Sequence, residues 1–221
     1  MRRTTPVALL IMVMAVLTVS VSCATAKGER EMKAMKEQPV ISTKAFELHM
    51  AMAKLWEDHI AYTRNYIISA LAGLEDADAV AGRLLENQQA IGDAIKPYYG
   101  DAAGEKLTAL LKDHIVIATD VVAAAKAGNS EALERTQDKW AANADDIAAF
   151  LAGANPLWSK DDLSDALRTH LEVTTDEVTA RLKKDWKADI KAYDRGQDHM
   201  LKFSDTLSSG IARQFPEQFK D

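Results

Sequence analysis

Histidine ligates transition metals and exchanges protons near neutral pH. Four of the five histidines in this 221-residue chain sit in matched surroundings. His114 lies in "LKDHIVIATDVV" (111–122) and His170 in "LRTHLEVTTDEV" (167–178), where Leu, His, Thr, Asp and Val coincide at an offset of 56 residues. His59 lies in "WEDHIAYTRNYI" (56–67), which fits at an offset of 55. A second set follows each of these: "NQQAIGDAI" (87–95), "NADDIAAFL" (143–151) and "HMLKFSDTL" (199–207), led by Asn87, Asn143 and His199. On a helical wheel each of the six polar residues falls among apolar neighbours. Leu110, Leu111, Ile115 and Val121 surround His114, for example.

Such a layer supports three chemistries. Imidazole and carboxamide pair well, so the layer can be an internal hydrogen-bond network that fixes helix register. Four converging histidines (His59, His114, His170 and His199) also suit Zn, Cu, Ni or Fe, with Glu177 as an added carboxylate two turns beyond His170. A small organic ligand or haem beside the layer is the third reading. The di-iron E-x-x-H pattern is absent, because "WEDH" sets Glu57 two residues before His59. There is also no H-E-x-x-H and no C-x-x-C-H. No catalytic residue is assigned.

The elements that position these residues are helices. The composition is 48% hydrophobic and 27% charged with five prolines, rich in Ala, Leu, Lys and Glu, and no stretch alternates like a strand. The expected fold is all-α: a six-helix bundle of three related hairpins with a repeat of about 56 residues. Turns within hairpins are expected at "GLEDAD" (73–78), "AGNS" (127–130) and "KKDWKAD" (183–189). Turns between hairpins are expected at "KPYYGDAAG" (96–104) and "ANPLWSKDD" (154–162), with Pro97 and Pro156 following helix ends. The midpoints of the successive pairs among the six polar residues all fall in these turns, which places the residues at one height of the bundle. Ser159 or Asp161 is the expected cap of the fifth helix. Thr119–Asp120 and Thr175–Asp176 flank the apolar stripe, where Arg64 is expected to pair with Asp120 or Asp176. His49 is expected at the periphery, and "PYYG" (97–100) as packing.

The N-terminus has another character. "MRRTTPVALLIMVMAVLTVSVSC" opens on Arg2 and Arg3, runs apolar from Val7 to Leu17 and ends in small residues, the layout of a secretory signal. In one reading residues 1–22 are the signal and Cys23, the only cysteine, is lipidated, because "VSVSC" resembles a bacterial lipobox with Ser20 in place of the usual aliphatic. In the other, "ATA" (24–26) is an ordinary cleavage site. Residues 23–42 read as a tether and 43–221 as the bundle domain. Loss of Arg2 and Arg3 leaves 25 basic and 33 acidic residues, a net charge of −8. That charge argues against nucleic acid and against electrostatic lipid binding, so membrane attachment is expected through the lipid. The expected location is extracytoplasmic: the outer face of the cell membrane, the periplasm of a Gram-negative cell, or secreted.

The segments "LWEDHIAYTRNYIISALAGL", "RLLENQQAIGDAIKPYYG", "LTALLKDHIVIATDVVAAAKAG" and "WAANADDIAAFLAGANPLW" resemble a bacterial family of all-helical proteins common in spore-forming Firmicutes. The resemblance spans about residues 50–216. It implies a helical domain with these boundaries and no established activity. Members are sometimes labelled glycosyltransferases, yet this chain has no Gly-rich phosphate loop and no strand-borne acidic metal motif. The resemblance leaves function open; the residues themselves point to binding or structural service, with a transition-metal protein as the rival.

Overall fold

The computed structural model describes residues 42–221. The signal, Cys23 and tether readings lie outside those residues. Six helices follow one another: α1 (Thr43–Ala72), α2 (Ala77–Tyr99), α3 (Asp101–Ala127), α4 (Ser130–Ala154), α5 (Lys160–Leu182) and α6 (Trp186–Gln214), with a closing 3-10 turn at Pro216–Phe219. No strand occurs among the described residues. No helix there is long and apolar enough to cross a membrane.

Local chemistry sets the boundaries. Ser42, Asn129, Ser159 and Asp185 each accept a backbone N–H three residues on, which caps α1, α4, α5 and α6. Gly73 (φ 70°) and Gly128 (φ 65°) end α1 and α3 in the left-handed conformation that glycine adopts without steric cost. At the corresponding α5–α6 turn Lys184 takes that conformation (φ 59°) instead. The α2–α3 junction is tighter than the sequence suggests. Pro97 lies inside the last turn of α2, and Gly100 alone separates the helices. Pro97 is tolerated there because its fixed φ is helical and only one N–H is lost near the helix end. Close to this junction a Cβ on Gly92 would lie 2.6 Å from the Gly104 carbonyl oxygen, so glycine at both positions lets the two backbones touch.

Short connections reverse the chain at each step. Every helix packs on its chain neighbours, α6 packs back on α1, and α1, α3 and α5 also meet across the middle. The first helices of the three hairpins therefore form a parallel inner trio, and α2, α4 and α6 fill the outer gaps. Inner-trio layers are buried at the spacing of the sequence match: Met52, Leu107 and Leu163; then Trp56, Leu111 and Leu167; then the three histidines; then Ile67, Val122 and Val178. The first two layers belong to the main apolar core, and the last forms a separate small cluster.

Candidate functional site: a buried histidine layer

His59, His114 and His170 come from α1, α3 and α5 and meet in the centre of the bundle. The His59 and His170 ring centroids are 5.5 Å apart, and those of His114 and His170 are 5.9 Å apart. Each residue is at most 3% exposed. The other three polar residues sit outside this trio and share one contact. Asn87 Nδ2 donates to Leu55 O (2.9 Å), Asn143 Nδ2 to Leu110 O (3.1 Å) and His199 Nε2 to Ala166 O (2.7 Å). Each acceptor lies four residues before an inner histidine, so its oxygen uses one lone pair in the helix and the other for the neighbouring helix. All six sequence-selected residues thus stand at one level. His199, half-buried at the rim, bonds backbone and not the inner rings.

The inner histidines differ in their partners. Trp140 Nε1 is only a donor, so its 3.1 Å contact makes His114 Nε2 an acceptor. The proton then lies on His114 Nδ1, which donates to Asn143 Oδ1 at 2.7 Å. The amide of Asn143 is oriented by its bond to Leu110 O, so the tautomer of His114 is determined. His59 Nδ1 faces Gln88 Nε2 at 3.2 Å, and the same amide donates to Leu84 O and Asn87 Oδ1. The two amide protons are shared among three acceptors and the amide nitrogen accepts none, so His59 Nδ1 bears no proton, the opposite tautomer. His170 Nδ1 is buried without a hydrogen-bond partner. The residues found at an offset of 56 positions differ here. Gln88 corresponds to Ala144 and Met200, and Trp140 corresponds to Leu84 and Gly196. The third hairpin places Met200 and Gly196 where the others offer a polar group.

Burial holds all three rings neutral. It lowers His59 to about 3, helped by the charge of His114, and His114 to about 4, against the hydrogen bond that His114 donates to Asn143. His170 is lowered well below its ordinary value by burial and then by its neighbouring histidines.

Of the metal set read from the sequence, His59, His114 and His170 meet, while His199 and Glu177 turn to other partners. Glu177 turns to Arg64 Nη1 at 2.6 Å, away from the histidines. Arg64 also contacts Asp189 through both terminal nitrogens (3.1 and 3.2 Å), and Arg181 Nη1 reaches the same carboxylate at 2.8 Å. Arg64 thus pairs with neither Asp120 nor Asp176; the latter holds Arg195 at 2.6 Å. Buried carboxylates need a cation, and Arg64 is the one within reach on α1. Burial pushes Glu177 up to about 7, against Arg64. Among the described residues no group of three or more His, Cys, Asp or Glu is placed to hold a metal ion. His114 has both ring nitrogens committed to protein partners.

A cavity of about 20 Å³ adjoins the layer, lined by His59, Thr63, Tyr66, His170 and Thr174 among apolar side chains. That is room for about one water and too little for haem. Outside the layer, His49 is part-exposed beside Asp205 (3.5 Å), and Tyr98 and Tyr99 pack on Phe215 and Phe219 as a small aromatic cluster. Ser159 is the cap of α5.

Gln88, Trp140 and Asp189 belong to these networks and were not among the residues selected from sequence. Gln88 and Asp189 carried a signal, as polar residues on the inward stripe of their helices. Trp140 reads as ordinary core. The roles of the layer residues separate by substitution. His114→Leu strands Asn143 Oδ1 and the Trp140 N–H, with an expected loss of about 3 kcal/mol. His170→Leu removes an unpartnered buried group and is expected to be neutral or stabilising. Urea denaturation at pH 8, where imidazoles are neutral in both states, measures the contrast.

No family model matches the chain, and no curated protein or solved structure matches it. The resemblance to the Firmicutes family gains no support from these comparisons.

Proposed function

We propose that the chain is an exported, lipid-anchored helical bundle that serves as a binding or structural protein at the outer face of the cell membrane, with no chemistry in its core. One observation supports the second half most strongly: both ring nitrogens of His114 are spent inside the protein, on Trp140 and Asn143. These bonds, with those of Asn87, Asn143 and His199 to backbone carbonyls, fix the register of three similar hairpins, since a slip would leave several more buried polar groups unpaired. The signal-like start and Cys23 support the first half.

The test of attachment is metabolic labelling of the full chain with a fatty-acid analogue, followed by membrane fractionation. Wild-type protein is expected to carry the label in the membrane fraction, and Cys23→Ser to lose it. Equal labelling of both, or labelling of neither, sinks the anchor.

A guest on His170 is the second reading, and its unpartnered Nδ1 is the observation in its favour. The adjoining space limits that guest to about one water molecule.

A further inference from the structure

The α5–α6 turn has a surface unlike the rest of the chain. Residues 182–188 are all exposed. Three of the large apolar side chains most open to solvent are here: Leu182, Trp186 and Ile190, at 41%, 53% and 55%. Lysines stand among them. Lys183, Lys184, Lys187 and Lys191 are exposed, and none enters an ion pair among the described residues.

The geometry puts these groups on one arc. Asp189, Ala192, Gly196 and Met200 form the buried side of α6, so Trp186, Lys187, Ile190 and Lys191 share its solvent side. Asp189 anchors Arg181 at 2.8 Å, and the Arg181 guanidinium lies 5.5 Å from the centre of the Trp186 ring. The indole is thereby held at the protein edge. A groove of about 430 Å³ between α5 and α6 opens on another flank of the same turn, lined by Lys183, Lys191 and Arg195 together with Asp176 and Asp185; Trp186 does not line it, and Arg195 is paired with Asp176 at 2.6 Å.

The local charge opposes the global one. Residues 181–191 hold five basic and two acidic residues in a chain of net charge −6. One of those two acids, Asp189, is consumed by Arg64 and Arg181. An amphipathic aromatic ring among aliphatic side chains and unpaired lysines is the chemistry of a bilayer interface with anionic headgroups.

We propose that this corner, the end of α5 and the first two turns of α6, docks on an anionic phospholipid bilayer. Trp186 and Ile190 enter the headgroup–acyl boundary, and the lysines meet lipid phosphates. The α1–α2 turn carries Glu75 and Asp76, which such a surface repels. Contact is therefore by the corner alone, with the bundle inclined. This goes beyond the anchor reading: lipidation confines the chain to a membrane, whereas the corner selects the part of the bundle that faces it.

Trp186 is its own probe, because Trp56, Trp140 and Trp158 are only 3–6% exposed. The experiment mixes the full chain with vesicles of phosphatidylcholine alone, or of phosphatidylcholine and phosphatidylglycerol in equal parts, with brominated acyl chains in each. On the anionic vesicles Trp186 emission is expected to shift to the blue and to be quenched by the bromolipid, with both effects reversed by salt. Lys183→Gln, Lys187→Gln and Lys191→Gln together are expected to weaken this docking about a hundredfold, at about fivefold per charge, with helicity unchanged. Trp186 that stays open to aqueous iodide and unquenched by bromolipid on anionic vesicles overturns the proposal. That holds even where the chain floats with the vesicles through its N-terminal segment, and equally where an acidic protein, and no vesicle, shifts Trp186. Failure of Cys23 labelling leaves this readout intact, so the two ideas fail separately.

Discussion

Acidification from pH 7 to pH 5 is expected to cost the bundle at least about 2 kcal/mol of net stability. The cause is the inner histidine trio. An imidazole in the unfolded chain titrates near its ordinary 6.5, whereas burial holds His59 at about 3, His114 at about 4 and His170 well below its ordinary value. Above pH 6.5 neither state is protonated at these sites, and the contribution of the layer is intact. As pH falls below 6.5 the unfolded chain binds three protons that the folded chain refuses. His59 and His114 then each withdraw about 2 kcal/mol by pH 5, roughly 4 together, and His170 adds to that loss. Glu177 works the other way. Its folded value of about 7 exceeds the unfolded 4.5, so the fold holds that proton more tightly and regains about 2 kcal/mol over the same interval. A domain of ordinary stability, about 5–15 kcal/mol, has little margin after such a loss. Urea midpoints followed by circular dichroism at pH 8, 7, 6 and 5 measure the slope. His170→Leu removes one titrating ring and is expected to shrink the loss. A midpoint unchanged between pH 7 and 5 in the wild type would show that the rings are reachable by protons in the fold.

The second large effect is expected at Asp189. This carboxylate is buried in α6 and binds Arg64 from α1 and Arg181 from α5, so it ties the last helix to two of the inner three. Asp189→Asn keeps the shape, removes the charge and leaves two guanidinium groups beside a single acid, Glu177. Breaking a buried ion pair from one side costs about 3–5 kcal/mol. Glu177→Gln is expected to cost only about 1 kcal/mol. Burial already pushes Glu177 up to about 7, so its charge is partly given up at neutral pH, and glutamine still offers an oxygen to Arg64. The difference between the two urea midpoints at pH 7 is the observable. Equal losses would place the bridge on both acids alike.

Much of the layer was legible because helical periodicity and distance from a turn are sequence properties. A histidine among leucines at three- and four-residue spacing must face inward, and midpoints that fall in turns set its height. Those two arguments placed His59, Asn87, His114, Asn143, His170 and His199 at one level. Neither says which helix faces which across the bundle. Glu177 lies on the inward stripe of α5 but leans to Arg64, and only the neighbourhood of α1 and α6 decides that. The partners of the rings are also lateral facts: Trp140 reaches His114 through its rotamer, which no spacing rule supplies. Pro97 shows a local limit, since a proline in the last turn does not end α2. The α5–α6 turn shows a limit of averaging. A net charge of −6 describes the whole chain and hides a stretch with five basic residues and two acidic ones.

The most direct test of a layer closed on itself is the long-range ¹⁵N–¹H spectrum of the histidine rings at pH 7, before and after addition of zinc. Nitrogen shifts distinguish the two neutral tautomers, the imidazolium and a metal-bound ring. The expected result is three buried neutral rings, with the His114 proton on Nδ1, the His59 proton on Nε2, and no change on zinc. Imidazolium shifts at pH 7, the other tautomer of His114, or inner-ring nitrogens displaced by zinc would contradict it.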